Sequence, residues 1–193
     1  MVRVIIGAIP AAIAMFLIGF IWYATPLKNF GYANLDNAQA AAVQQSMAAS
    51  LPKTGTYAIP GVDTAEQTDM YARGPIATIH YSSRGFAAMD PAALVGGLVF
   101  YLVIALLIGL ALVGVDRRVA DFPSRAKLVV IFAVASSALI HLSEPIFYHH
   151  DWGHFIYRFI GDALMLAAAG LIIARWFLPK GESAAPATAR TDA

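Results

Sequence analysis

The sequence predicts an all-α membrane protein: a bundle of four transmembrane helices with both termini cytoplasmic and a small α+β extracytoplasmic insert between the first and second helices. Three observations lead there. The chain is 59% hydrophobic and only 13% charged, against about 25% charged in soluble domains. Four long stretches carry few charges or none, and the basic residues of the short loops gather on one side.

Residues 4–24, the first span, contain no charged side chain, and about 20 such residues at ~1.5 Å rise cross the ~30 Å hydrocarbon layer. A cleaved signal peptide is the rival reading. The run is longer than an h-region of about 7–15 residues, and no A-x-A-like site follows it. Trp22 and Tyr23 near its end suit an interfacial aromatic belt. Pro10 is expected to bend the helix.

Residues 25–91 form the insert. Asp36 with Gln39 three residues on predicts a capping box, and the Ala- and Gln-rich stretch to Ser50 a helix with Val43, Met47 and Leu51 on one stripe. Gly55 to Ile59 and Ile76 to Ser82, bounded by Gly and Pro, are candidate strands of an antiparallel ribbon. In the second of these His80 is read as a packed or surface residue. One helix and two strands bury little, so the insert is expected to lean on the membrane helices or on a partner.

Residues 92–115 are the second span, 128–148 the third and 155–178 the fourth. Arg117, Arg118, Arg125 and Lys127 occupy the connection from Asp116 to Lys127, which the positive-inside rule makes cytoplasmic. The insert and the His149 to His154 turn then face outward, which fits a multi-pass protein of a bacterial inner membrane. Residues 179–193, with the Ala-, Pro- and Thr-rich stretch from Glu182 on, are expected to be a disordered cytoplasmic tail.

Four of the five histidines, His141, His149, His150 and His154, lie where the third span ends and the fourth begins. Ser137, His141, Glu144 and Tyr148 share one face of the third span by their spacing, and His154, Arg158 and Asp162 share one face of the fourth. Glu144 and Arg158 sit roughly 6 Å below the turn, and His141 and Asp162 roughly 10–13 Å, at ~1.5 Å per residue. These matched depths predict a Glu144–Arg158 ion pair above a His141–Asp162 contact. Ionisable groups inside a membrane are costly, so this cluster is the candidate catalytic or binding site. Helix-to-helix fastening is the competing reading, and a quinone or lipid-headgroup site a further one.

His149, His150, Asp151 and His154 are candidate metal ligands, for zinc or copper. The absence of cysteine excludes disulfides and thiolate sites, and only His141 is deep enough to bind haem, so bis-histidine haem is rejected. The formal net charge of +1 gives no field for nucleic acid. No nucleophile elbow, phosphate loop, cofactor motif or internal repeat is present. Gly96, Gly97, Gly109 and Gly114 in the second span, and Ala163, Ala167, Gly170 and Ala174 in the fourth, offer small faces for close helix packing.

The residues from Gly19 to Leu27, which read GFIWYATPL, resemble the opening of a family of small bacterial four-helix membrane proteins of unknown function. The likeness covers the first helix and its exit, implies a bacterial inner-membrane setting, and brings no site residue. The expectation for function rests on what is missing: a non-catalytic accessory or interaction protein, docking on a larger membrane complex or on its own copy. The alternatives are a small membrane enzyme or proton-coupled carrier built on His141, Glu144, Arg158 and Asp162, and an extracytoplasmic metal-binding protein.

Overall fold

A computed structural model describes residues 2–179, which fall into two compact units: the residues up to 33 together with those from 91 on, and residues 34–90. In chain order the elements are α1 (Val2–Ala24), α2 (Asn37–Ser50), β1 (Gly55–Ile59), α3 (Ala65–Arg73), β2 (Ala77–Tyr81), α4 (Pro91–Val115), α5 (Phe122–Tyr148) and α6 (Trp152–Trp176). A 3-10 turn, Pro26–Phe30, follows α1. The helices α1, α4, α5 and α6 are long and apolar enough to cross a membrane. The tail from Glu182 on, expected to be disordered, lies outside the described residues.

The first unit is organised around α6, which packs on α5 and α1 and more lightly on α4, while α1 also packs on α4. Lipid chains are as apolar as leucine, so burying hydrocarbon is a weak reason for these helices to associate; close backbone approach and polar contacts must hold them. Small residues provide the first. Ala8 and Ala11 of α1 and Ala169 of α6 are fully buried. At Gly161 of α6 an added β-carbon would lie 2.5 Å from the Trp22 ring and 2.7 Å from the Tyr23 hydroxyl, so α1 and α6 meet there only because the side chain is absent. Of the expected small faces, Gly109, Gly170 and Ala174 are packed, whereas Gly96, Gly97 and Gly114 face open space.

The helix α5 starts at Phe122 rather than at residue 128, because Asp121 caps it by accepting from Ser124 N–H at 2.9 Å. This changes the reading of the basic loop. Arg125, counted as a loop cation, is buried in the first turn of α5. Its Nε donates to the Val119 carbonyl at 2.8 Å and its Nη1 to the Pro179 carbonyl at 2.7 Å, fastening the start of α5 to the chain after α6.

In the second unit the capping box of α2 is present: Gln39 N–H donates to Asp36 and the Gln39 side chain accepts from Asp36 N–H. The strands pair antiparallel with Thr56 opposite His80, whose Nδ1 lies 3.0 Å from the threonine hydroxyl. A second helix, α3, was not expected. Thr64 caps it and Gly74, at φ 65°, ends it, but it is only nine residues long and mostly polar. Neither α2 nor α3 has a buried residue.

Two predictions follow from these contacts. Gly161→Ala should destabilise the helical unit by about 1–3 kcal/mol through overpacking, while Gly96→Ala, in open space, should not; thermal melting in detergent compares them. The Ser124 N–H holds the Asp121 carboxyl below its ordinary value. Its contribution is then present above the unfolded value and lost as pH falls through the folded one. Asp121→Ala should therefore lower the melting temperature at neutral pH, with the difference closing in acid.

Candidate functional site

The chemistry of the helical unit collects on one stripe of α6, where Tyr157, Arg158, Gly161, Asp162 and Met165 recur at helical spacing. Asp162 is its centre. One carboxylate oxygen lies 2.6 Å from His141 Nε2 of α5, and the other accepts from the Tyr23 hydroxyl of α1 at 2.7 Å. One side chain thus ties three helices. With Asp162 ionised, the His141 ring proton resides on Nε2 and points at it, an arrangement that fixes the imidazole and permits proton exchange between the two groups.

Beside this triad α1 and α6 are latched reciprocally. Trp22 Nε1 donates to the Tyr157 carbonyl at 3.1 Å, the Tyr157 hydroxyl donates to the Trp22 carbonyl, and the two rings stack with centroids 5.3 Å apart. Trp22 and Tyr23 are therefore not a lipid-facing aromatic belt: both turn inward, because α6 offers them an unshielded carbonyl and a carboxylate at the glycine where the helices touch.

The His141–Asp162 contact expected from depth is present; the Glu144–Arg158 ion pair is not. Glu144 instead meets His150 Nδ1 at 3.2 Å. The reason is local. His149 adopts the left-handed conformation (φ 54°, ψ 31°), the chain reverses, and the His150 ring returns over Tyr148 and Phe155 to the Glu144 carboxylate. Equal depth on two helices does not fix the direction in which side chains turn about them. Arg158 turns toward α1, its guanidinium 5.7 Å above the Tyr23 ring.

The four candidate metal ligands do not converge. Asp151 caps α6 by accepting from the N–H groups of Gly153 and His154, and His154 Nδ1 is 2.7 Å from the Gly31 carbonyl. His150 is held by Glu144, and His149 forms the turn. Among the described residues no three His, Asp or Glu side chains are placed to hold a metal ion.

A cavity of about 510 Å³ opens beside the triad, bordered by α1, α4, α5 and α6. Its polar wall consists of Tyr23, Tyr32, Tyr101, Ser137, Arg158 and Asp162. Two buried atoms in that wall, Ser137 Oγ and Arg158 Nε, have no hydrogen-bond partner among the described residues. Buried polar atoms are seldom left so, and each that is calls for a reason. Of the candidates named from sequence, Arg158 and Asp162 border this cavity with Ser137, whereas His141 and Glu144 do not; Tyr23 and Tyr101 were not among them, since a tyrosine in an apolar run carries no signal of which helix it will meet.

No family model, curated protein or solved structure matches this chain.

The two carboxylates should behave differently. Asp162→Asn removes the charge and one of the two acceptor oxygens that tie α1 and α5 to α6, and should cost about 2–3 kcal/mol, as for hydrogen bonds to a charged group. Glu144→Gln breaks a half-exposed pair and should cost no more than about 1 kcal/mol. Chemical denaturation of the purified single variants decides whether that order holds.

Proposed function

We propose that this chain is a multi-pass protein of a bacterial inner membrane, with both termini cytoplasmic and the 34–90 unit outside. Its four spanning helices are taken to form a bundle that binds a small molecule in the cavity beside Asp162. Arg158 and Ser137 are the groups that meet the ligand. Asp162 forms part of its wall, with His141 behind it, and the two serve as the proton-exchanging pair of a carrier or a small enzyme.

The observation that carries this reading is the pair of unpartnered polar atoms, Arg158 Nε and Ser137 Oγ, on a cavity of about 510 Å³. A cluster whose only task was to fasten helices is best served by complete pairing, since a half-satisfied polar network is worse than an apolar one. Asp162, His141 and Tyr23 meet that standard. Arg158 and Ser137 do not, and the volume before them lies within the range of about 300–1,000 Å³ usual for ligand pockets.

The accessory-protein reading keeps one observation in its favour: α2 and α3 of the 34–90 unit bury no residue and leave Val43 and Met70 exposed, so a partner surface outside the membrane has apolar side chains to meet. The two readings differ in what comes with the protein when it is purified.

Purification from native membranes in mild detergent, followed by native mass spectrometry, separates them. Binding in the cavity predicts a retained small molecule that is lost in Arg158→Gln. Retention of a stoichiometric partner protein with no small molecule, unchanged by Arg158→Gln, makes the chain an accessory subunit instead. Ser137→Ala should also leave the ligand-free protein as stable as before, or more so, because it removes an unsatisfied hydroxyl; a large loss on melting would return Ser137 to a packing role.

A further inference from the structure

The cavity beside Asp162 has an apolar neighbour. A second cavity of about 370 Å³ lies in the gap between α4 and α5, and Leu166 of α6 lines both. On α4 the lining residues Tyr101, Ile104, Ile108, Ala111 and Val115 recur every three or four positions, so a single face of that helix borders both cavities. The second is lined by aliphatic and aromatic side chains with Ser136 as its one hydroxyl. From Tyr101 to Val115 the gap runs roughly 20 Å at ~1.5 Å per residue.

Charge and hydrogen-bonding capacity differ sharply between the two ends. At the polar end the Asp162 carboxylate is engaged on both oxygens, whereas Arg158 has no carboxylate partner among the described residues and its buried Nε has no acceptor. The unmet groups are a cation and a hydroxyl, which call for an acceptor-rich anion. A guanidinium that meets only the Tyr23 ring at this depth is costly until one arrives.

Resting on the reading of the cavity as a ligand site, we infer that its ligand is a single-chain carboxylate of about sixteen carbons. The head is held by Arg158 and Ser137 and the chain lies between α4 and α5. A carboxylate matches the forked donors of arginine. An extended chain gains ~1.2 Å per bond, as three bonds of extended backbone span ~3.6 Å, so the gap takes about sixteen. A phosphatidyl lipid fits less well: its second chain has no counterpart in the narrow gap, and its glycerol and phosphate would have to sink below the interface to reach Arg158.

The test uses the full-length protein, stripped of lipid in a neutral maltoside detergent, with palmitate, hexadecanol and dioleoyl phosphatidylglycerol as probes. Native mass spectrometry and thermal melting are the readouts. Palmitate should form a one-to-one adduct and raise the melting temperature, with hexadecanol at least about tenfold weaker, as loss of a charge-assisted hydrogen bond implies. Arg158→Gln should abolish that preference. Ala111→Phe, which fills the apolar end from an exposed position, should move the favoured chain to about ten carbons.

Equal binding of palmitate and hexadecanol, a preference that survives Arg158→Gln, or displacement of palmitate by equimolar phosphatidylglycerol overturns the assignment. A different molecule retained by the native protein and lost in Arg158→Gln overturns the ligand class while upholding the site. Inert palmitate together with an empty native protein removes both. If Arg158→Gln does not fold, Ser137→Ala carries the test: palmitate affinity should drop severalfold with the ligand-free melting temperature unchanged or raised, and unchanged affinity contradicts the proposal.

Discussion

Asp162 is the constraint on which the helical unit depends. Its two carboxylate oxygens are taken by donors from two different helices, His141 on α5 and Tyr23 on α1, so the mutual placement of three helices is fixed at one side chain. In lipid the usual driving force for helix association is weak, and a carboxylate in hydrocarbon demands partners wherever they can be found. The glycine one position before it, Gly161, lets α1 come close enough for Tyr23 to reach. The Trp22–Tyr157 latch then sets the rotation of the two helices. Removing the carboxylate would leave α1 and α6 joined by that latch and by small-residue contact, and α5 with no polar tie to α6 at this level among the described residues.

The same geometry leaves a space. With α6 in the middle, packed on α5 and α1, the two helices α4 and α5 share no comparable interface, and a gap runs between them. Arg158, one turn above Asp162, turns toward Tyr23 of α1 and, like Ser137 of α5, borders the cavity beside Asp162. A polar cavity at one end and an apolar one at the other follow from the helix arrangement and from which residues it leaves unpaired. The triad is fully paired, whereas Arg158 Nε and Ser137 Oγ beside it are not.

Much of this was legible in the sequence, and the gaps have physical causes. Charge-free runs mark α1 and α4 to within a residue or two at most ends, because nothing else in a chain needs twenty apolar residues in succession. The His141–Asp162 contact follows from depth, since hydrocarbon leaves few alternatives for two ionisable groups at one level. The start of α5 was misplaced because Arg125 looks like a loop cation until its carbonyl acceptors are seen. Glu144 went to the wrong partner because the left-handed His149 returns a nearer one. Tyr23 was read as facing the lipid interface, although Asp162 of α6 faces it across the contact between α1 and α6. In the 34–90 unit the capping box and strand pairing were readable from local rules, whereas α3 has a cap and a stop around only nine, mostly polar residues.

The central claim is that the space beside Asp162 is a working cavity and not a packing fault. The chain has no cysteine, so one introduced thiol reports alone. Ile104→Cys places it on the cavity wall, and Ala105→Cys one residue along in a fully buried position. The rate of reaction with a small water-soluble methanethiosulfonate is the measurement to make. The account predicts that the Ile104→Cys protein reacts, that it slows when the cavity is filled, and that the Ala105→Cys protein stays inert. Equal inertness of both would mean a closed, dry interior and would contradict the account.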